Sequence, residues 1–209
     1  MDERYLKVDG KFLFFIYKPR KFNDCATFIT YWRKWAREEC NADFHFVAQA
    51  IPCEKDFSFY FNNGFDAVFT NRIMNAALGQ QKSILISLKN IILRFFNLPR
   101  LVSFKSVINQ SYNREDTTDN LYPGIICGWD HTPRSGRKGY LFTGFNKELF
   151  KKHIENQISL VKDKTYEHRI IFLKSWNEWG EGNFMEPDFE FGKQKIEAFE
   201  EVTSSWNDL

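Results

Sequence analysis

The sequence lacks the signatures of several large functional classes. It contains no GxGxxG, no GxxxxGK[ST] and no GxSxG motif, which argues against dinucleotide binding, P-loop chemistry and a serine nucleophile elbow. No CxxC pair occurs, and no histidine lies at zinc-finger spacing, so we predict no metal site, no cofactor and free, buried thiols. The cysteines are Cys25, Cys40, Cys53 and Cys127.

A large net charge and long apolar runs are also missing. The 209 residues include 29 Lys and Arg against 27 Asp and Glu, a net charge of +2, which disfavours an extended nucleic-acid groove. The first residues, MDERYLKVDGK, are acidic where a signal peptide has a basic start and an apolar run. The apolar run at 83–88 is far shorter than the ~20 residues that span a bilayer. We therefore predict a cytoplasmic protein without a nucleic-acid partner.

Short apolar runs alternate with helical patterns along the chain. Continuous rather than alternating hydrophobicity predicts strands covered on both faces, as in a parallel sheet under helices. Helices are predicted from the cap Asp24 to Glu39 and from the cap Asn146 through Ile158. No linker or repeat divides the chain, so residues 1–209 are treated as one α/β domain. The predicted strands are residues 12–17, 44–48, 65–70, 125–129 and 170–176.

The most lipophilic helix candidate is residues 80–97. It has Leu85, Leu88, Ile92 and Phe96 on one stripe. Such a helix can pack inward on the sheet or lie on a membrane surface as a peripheral contact. The inward-packed arrangement is commoner among soluble proteins.

Residues 176–182, WNEWGEG, directly follow the last predicted strand. In parallel α/β folds, side chains at the carboxyl ends of strands converge on one mouth. Glu178 and Glu181, between Trp176 and Trp179, can project into one cleft there as a general acid and base. The alternative is a turn that starts a helix, whose acidic residues only favour the helix N-terminus.

A second group of polar residues lies in 128–139, GWDHTPRSGRKG. Trp129 and Asp130 follow a predicted strand and are suited to stack on a sugar ring and to accept hydrogen bonds from hydroxyl groups. Arg134 can attract phosphate, although a basic loop is more often solvated surface. His131, Asp130 and the two glutamates show no metal-ligand spacing.

These segments carry a family resemblance. Residues 5–19, 64–68, 122–134 and 176–192 resemble the WbsX-like glycosyltransferases, which are similar in turn to glycoside hydrolase family 99, the endo-α-mannosidase type. The resemblance implies a (β/α)8 barrel that acts on a glycan or nucleotide-sugar in polysaccharide metabolism, such as that of O-antigen lipopolysaccharide. His131 stands where relatives more often have Asn.

The resemblance also implies residue roles. Glu178 corresponds to a base toward the sugar 2-hydroxyl, and Glu181 to the acid/base at the glycosidic oxygen. The implied reaction is retaining and passes through a 1,2-anhydro sugar. The predicted substrate contacts are Tyr17, Trp129, Asp130, Arg134, Trp176, Asn177, Trp179 and Glu186.

The length departs from the family pattern. About five strands can be counted, against the eight of a closed barrel, so we expect a partial barrel that lacks its N-terminal strands and corresponds to the C-terminal part of the family domain. The alternative to an enzyme is an inactive or partner-dependent fragment that keeps sugar binding and folds with a separately encoded N-terminal half. Open sheet edges would favour such association.

Overall fold

The computed structural model describes residues 3–79, 88, 91–93, 95–96 and 98–206. The β-strands are β1 (Lys7–Val8), β2 (Lys11–Ile16), β3 (Phe44–Gln49), β4 (Ala67–Phe69), β5 (Arg100–Ser103), β6 (Leu121–Tyr122), β7 (Gly124–Ile126), β8 (Tyr140–Thr143), β9 (Phe172–Lys174), β10 (Asn177–Glu178) and β11 (Asn183–Phe184). The α-helices are α1 (Cys25–Cys40), α2 (Ser58–Asn62), α3 (Asn75–Leu78), α4 (Phe104–Ser111), α5 (Thr132–Ser135), α6 (Lys147–Val161) and α7 (Gln194–Trp206).

The central sheet is mostly parallel. β1 pairs antiparallel with β2, and parallel neighbours then follow in the order β2, β3, β4 and β6. Pro123 has no N–H to donate to a ladder, and the chain changes partner at this residue, so β6 pairs with β4 and β7 pairs with β9. The parallel series therefore runs β2, β3, β4, β6–β7 and β9.

The parallel series is curled. In a flat sheet, four steps of about 4.8 Å would separate β2 from β9 by about 19 Å. Instead, the rings of Phe15 on β2 and Phe172 on β9 have centroids 5.0 Å apart. The ring of Phe69 on β4 lies 5.2 Å from that of Phe172. The fold is thus α/β, with a parallel-rich sheet bent into a half-barrel.

The two faces of the curled sheet pack against different groups. Side chains alternate between faces along a strand, so Leu13 and Phe15 of β2 face the concave side, where they join the larger apolar core. Phe14 and Ile16 face the convex side and pack with Ile29 of α1 and its neighbours. This alternation positions Tyr17 at the mouth of the concave face.

Every predicted strand run contains an observed parallel strand, although three of these strands are shorter than predicted. The run 125–129 ends as a strand at Ile126, because the chain then turns to run beside β8. There the N–H of Phe142 donates to the carbonyl of Trp129 at 2.8 Å, and Asp130 forms a bridge with Leu141. The β5–β8 pair and α7 were not predicted from the sequence.

The two predicted capped helices are present. The side-chain oxygen of Asn146 accepts a hydrogen bond from the N–H of Leu149 at 2.9 Å, which confirms that cap. Asp24 precedes α1 but makes no side-chain capping bond. The predicted helix 80–97 lies mostly outside the described residues. Within the described part of the chain, no helix has the length and hydrophobicity required to cross a bilayer.

The cysteines are free in the structure, as predicted, but not all are buried. Cys25 and Cys127 are buried, whereas Cys40 is partly exposed and Cys53 is exposed. The prediction of buried thiols is therefore wrong for Cys53. It lies in the loop after β3, where its N–H donates to the side chain of Asn75 at 2.8 Å.

Two buried histidines are held neutral. Burial lowers the pKa of His45 to about 4 and that of His153 to about 3. His45 Nε2 lies 3.0 Å from the hydroxyl of Tyr122, and His153 Nε2 accepts the N–H of Ile126 at 3.1 Å. Because both pKa values lie below that of an exposed histidine, the unfolded chain binds more protons as the pH falls below about 6.5.

We therefore expect acid to destabilise the fold before its carboxylates titrate. Between about pH 7 and about pH 5.5, each histidine should lower the free energy of unfolding by about 1 kcal/mol. Urea melts at several pH values measure this slope. His45→Gln and His153→Gln should each flatten it, whatever their effect on stability at neutral pH. A slope that neither variant changes would contradict the assignment.

Candidate active site

A cleft of about 400 Å³ opens at the carboxyl end of the parallel strands. We call it the strand-end cleft. It brings together four residues predicted for the site from separate segments, and its walls come from β2, β3, β4, β9, the 131–138 loop and the hairpin after β9. The lining residues are Phe15, Tyr17, Gln49, Phe69, Arg134, Phe172, Leu173, Lys174, Ser175, Glu178, Glu181 and Asn183.

Both glutamates are carried by a short hairpin. β10 and β11 pair antiparallel, with Glu178 opposite Asn183. The hydroxyl of Ser175 donates to the carbonyl of Asn183 at 2.6 Å and accepts the N–H of Glu178 at 3.0 Å. The Asn183 side-chain oxygen accepts the N–H of Ser175 at 3.2 Å. These bonds fix the hairpin to the end of β9.

Gly182 allows the hairpin to close against the neighbouring loop. Its φ is +54°, in the left-handed region that favours glycine. A Cβ at this position would lie 2.7 Å from Cβ and 2.9 Å from the backbone nitrogen of Asp130. The same nitrogen donates to the carbonyl of Glu181 at 2.8 Å. Glycine is therefore required both for conformation and for space.

The side chains of Arg134 and His131 position Glu181. The Arg134 guanidinium forms an ion pair with its Oε1, and Nε2 of His131 lies 3.6 Å from the same oxygen. The His131 ring stacks on Tyr140, with centroids 5.2 Å apart. Burial, together with the charge of Glu181, raises the pKa of Tyr140 to about 12. Since both contacts are to Oε1, Oε2 is the oxygen left for a bound molecule.

Glu178 has a more open environment. Its side chain is exposed, and within the described part of the chain its carboxylate has no hydrogen bond or ion pair. A Cβ at Gly180 would lie 3.1 Å from its Oε1, so glycine leaves room for this carboxylate. The two glutamates therefore differ, since Glu181 is held by Arg134 and His131 whereas Glu178 is free to accept a proton from a bound molecule.

The neighbouring indoles lie at the rim of the hairpin. Trp176 is 54% exposed and Trp179 is 50% exposed. The Trp179 ring stacks on Phe184 at 3.8 Å, and its N–H donates to Glu186 at 2.5 Å. Asn177 is exposed on β10, opposite Phe184. Trp176, Asn177, Trp179 and Glu186 thus belong to the same hairpin as the glutamates but do not line the cleft.

Trp129 and Asp130, which were predicted as substrate contacts, do not line the strand-end cleft. They line a separate cavity of about 670 Å³ beside β8 and the 182–191 loop. Trp129 is only 6% exposed and packs against Tyr140, so its ring has no free face for a sugar. The Asp130 carboxylate accepts from the N–H and the hydroxyl of Thr132 at 2.9 and 2.6 Å. Because β7 already ends at Ile126, Trp129 and Asp130 do not lie at the carboxyl end of a strand in the strand-end cleft.

Lys174 is a cleft residue that the sequence reasoning missed. It is the last residue of β9, and its ammonium lies 4.3 Å from the centroid of the Trp129 ring. Burial lowers the pKa of Lys174, against the charges of Glu181 and Glu178, which raise it. Its position immediately before residues 175–182 was the available signal. Ser175 and Asn183, which fix the hairpin, carried no motif.

A metal ion is bound by a group of neighbouring side chains, most often those of His, Cys, Asp and Glu. Within the described part of the chain, no three His, Cys, Asp or Glu side chains are grouped so as to hold a metal ion. The charged groups that line the strand-end cleft are two carboxylates, one ammonium group and one guanidinium group.

Two curated proteins of Xanthomonas campestris pv. campestris, from different strains and both named uncharacterized protein WxcX, are similar to this chain. They are 25% and 24% identical to it over 203 residues. The matches cover 93% of this chain and 27% of each relative. The chain thus spans about a quarter of the length of these relatives.

Solved structures with the same fold include two carbohydrate-related proteins. A glycoside hydrolase-like protein has a TM-score of 0.68 at 17% identity, over 96% of this chain and 56% of that one. The GH99 endo-alpha-mannosidase from Bacteroides thetaiotaomicron has a TM-score of 0.50 at 16% identity, over 97% of this chain and 61% of that one. Because the sequence identities are only 17% and 16%, these two structures show a similar fold and nothing further about this chain.

The family profile described as "Glycosyltransferase WbsX" matches residues 1–199, which is nearly the whole sequence. This chain therefore belongs to the WbsX glycosyltransferase family.

Proposed function

We propose that this chain is a carbohydrate-active enzyme that cleaves or transfers glycosyl units in polysaccharide metabolism, with O-antigen lipopolysaccharide as one candidate. The observation that carries the proposal is the placement of Glu178 and Glu181 in one cleft at the carboxyl ends of parallel strands. Active sites of parallel α/β folds lie at that edge. Membership in the WbsX family supports a glycosyl substrate.

In the proposed reaction the two carboxylates act on different oxygens of the same sugar residue, Glu178 on the 2-hydroxyl and Glu181 on the glycosidic oxygen. Glu178 removes the proton of the sugar 2-hydroxyl, O2 attacks C1, and the glycosidic C1–O bond breaks as Glu181 protonates the leaving oxygen, which gives a 1,2-anhydro sugar. Water or an acceptor hydroxyl then attacks C1 and gives its proton to Glu181, while the C1–O2 bond breaks and O2 recovers its proton from Glu178. Because the cleft holds both carboxylates beside one saccharide, it supplies the proximity that these two reaction steps require.

The remaining hairpin residues form the proposed sugar contacts. Trp176 and Trp179 present half-exposed indoles near the cleft, and such rings suit the apolar face of a sugar. Asn177 and Glu186 offer hydrogen-bonding groups on the same hairpin. Arg134 is proposed to position Glu181, and Tyr17 to contact the substrate from the opposite wall.

The fold is proposed to be part of a (β/α)8 barrel in which residues 1–209 form a single domain. Five parallel strands curl toward closure, and a closed barrel needs eight. On this interpretation the chain supplies the C-terminal strands and both catalytic carboxylates, and the first strands of the barrel would close the open side of the cleft.

A catalytic assay tests the proposed function. The purified chain is incubated with α-linked mannan and with O-polysaccharide, and released or transferred saccharides are identified by mass spectrometry. We expect new reducing ends or new glycosides from one of them, and equal product from the control Glu155→Gln, whose side chain is exposed on α6. Product from neither material would argue against catalysis by this chain alone.

A second candidate is a sugar-binding, partner-dependent half of the barrel. The open sheet edges favour it. Within the described residues β9 pairs only with β7, and the backbone pairing along the other edge of β2 ends at Leu13, whose N–H donates to the carbonyl of Leu6 at 3.1 Å. A groove of about 350 Å³ lies between β2, β3 and α1 and is lined almost wholly by apolar side chains such as Phe12, Phe14 and Trp35. Unpaired edges and apolar surface favour association.

Size-exclusion chromatography and circular dichroism of the isolated chain separate these candidates. For a partner-dependent half, we expect self-association or a broad thermal transition. A stable monomer with a cooperative melt would contradict partner dependence and favour an independently folded unit.

A further inference from the structure

Lys174 lines the strand-end cleft, and Lys18 lies beside it, with its ammonium group 4.5 Å from the ring centroid of Tyr17, which also lines the cleft. Lys174 is the last residue of β9, and Lys18 lies two residues beyond the end of β2. The curl of the sheet brings these strands together, as the 5.0 Å contact between the rings of Phe15 and Phe172 shows. The Lys18 charge also lowers the pKa of Lys174, which is an electrostatic sign of their proximity.

Within the described part of the chain, no carboxylate lies within ion-pair distance of Lys18 or Lys174. Both ammonium groups lie over aromatic rings, that of Lys18 at 4.5 Å from the ring centroid of Tyr17 and that of Lys174 at 4.3 Å from the ring centroid of Trp129. A cation held over a ring keeps most of its capacity to donate hydrogen bonds.

The two glutamates act on Lys174 only through their longer-range charge, which raises the pKa of Lys174, and within the described part of the chain neither forms an ion pair with it. Glu181 is paired through Oε1 with Arg134, with His131 at 3.6 Å from the same atom. Glu178 is exposed and lies beyond ion-pair distance of both lysines. Burial and the charge of Lys18 both lower the pKa of Lys174, so both disfavour the charged form of Lys174. An anion bound beside Lys18 and Lys174 would offset the effects of burial and of the like charge, because it favours the charged form of both ammonium groups.

We propose that Lys18 and Lys174 bind an oxyanion of the substrate, so that the preferred substrate is an acidic saccharide carrying a carboxylate or a phosphate. This inference rests on the proposed function, because it places a saccharide in the strand-end cleft. The lysines select the substrate and hold its acidic group at the rim, beside the two glutamates. A neutral sugar of the same shape would leave both ammonium groups unpaired.

Direct binding measurements test the proposal without requiring turnover. The probes are methyl β-D-glucuronide, α-D-mannose 1-phosphate and the neutral methyl α-D-mannoside, titrated into the full chain by calorimetry. We expect at least one anionic probe to bind at least tenfold more tightly than the neutral one. A preference for the glucuronide identifies a carboxylate as the source of the charge, and a preference for the mannose phosphate identifies a phosphate.

The variants assign the preference to the two lysines. Lys174→Met keeps the aliphatic side chain and should abolish the preference, as should Lys18→Met, whereas Lys174→Arg should retain it. Lys34→Met, on the exposed face of α1, is the matched control and should behave as wild type. Because Lys18 is exposed, its variant remains informative if Lys174→Met fails to fold.

Several outcomes would overturn the proposal. These are equal binding of all three probes, binding of no anionic probe at millimolar concentration, or a preference that both Lys→Met variants keep. Glu178→Gln separates this inference from the proposed function, since it should stop turnover while leaving the anion preference intact. Absent turnover in wild type, together with a lysine-dependent preference, would refute the proposed catalysis but not the anion site.

Discussion

Glu178→Gln and Glu181→Gln should each lower the rate of glycan turnover on the order of 10²- to 10⁴-fold, the range that a general acid or base contributes. The amide keeps the size of each side chain but cannot accept and return a proton. Because both carboxylates act in the same rearrangement, the double variant should be hardly slower than the slower single variant. Initial rates with a substrate identified in the assay above measure these effects.

The two single variants should also differ in their effect on the stability of the fold. Within the described residues the Glu178 carboxylate has no hydrogen-bond or ion-pair partner, so its replacement should leave stability unchanged. Glu181→Gln weakens the contacts with Arg134 and His131, and a small loss of stability is expected because the ion pair is partly exposed. Glu155→Gln on α6 controls for loss of an unrelated negative charge. Turnover within threefold of wild type in either cleft variant would remove that residue from the chemistry.

Gly182→Ala should produce the second large effect. The new Cβ would require an alanine at a φ of +54° and would overlap the backbone of Asp130 at 2.9 Å. We expect a loss of roughly 2 to 4 kcal/mol in the free energy of unfolding from strain and displaced backbone. Turnover should fall about 100-fold, since a shift near 1 Å in a catalytic group has that order of effect.

Gly192→Ala is the matched control for this prediction. Its φ of +56° is nearly the same, but nothing lies within 4 Å of the position of its Cβ. It should therefore cost only the conformational strain, about 1 kcal/mol, and leave turnover unchanged. Urea melts and initial rates of the two variants separate strain from steric overlap. Equal behaviour of the two variants would mean that contact with Asp130 does not hold the hairpin in place.

The sequence pattern was sufficient for the parallel strands and for the two capped helices. Continuous apolar runs mark buried strands well, because each residue contributes to one of two packed faces. The carboxyl ends of those strands then predicted a shared cleft, and Tyr17, Arg134, Glu178 and Glu181 do line one. Their roles remain predictions until the variants are measured.

Other features depended on contacts that local patterns do not encode. The apolar run 125–129 is continuous, yet the chain leaves the sheet after Ile126, so Trp129 lies in the core. The β5–β8 pair forms between segments far apart in sequence. Lys174 resembles any lysine that ends a strand, and its position in the cleft comes from the curl that brings β9 to β2. Such features follow from tertiary packing.

The placement of a bound saccharide tests the central claim most directly. A crystal structure of the Glu178→Gln variant with a bound oligosaccharide should show the sugar 2-hydroxyl within hydrogen-bond distance of the residue 178 side chain. It should also show the glycosidic oxygen within that distance of Glu181. A saccharide bound in the cavity beside Trp129, or anywhere out of reach of both side chains, would contradict the account.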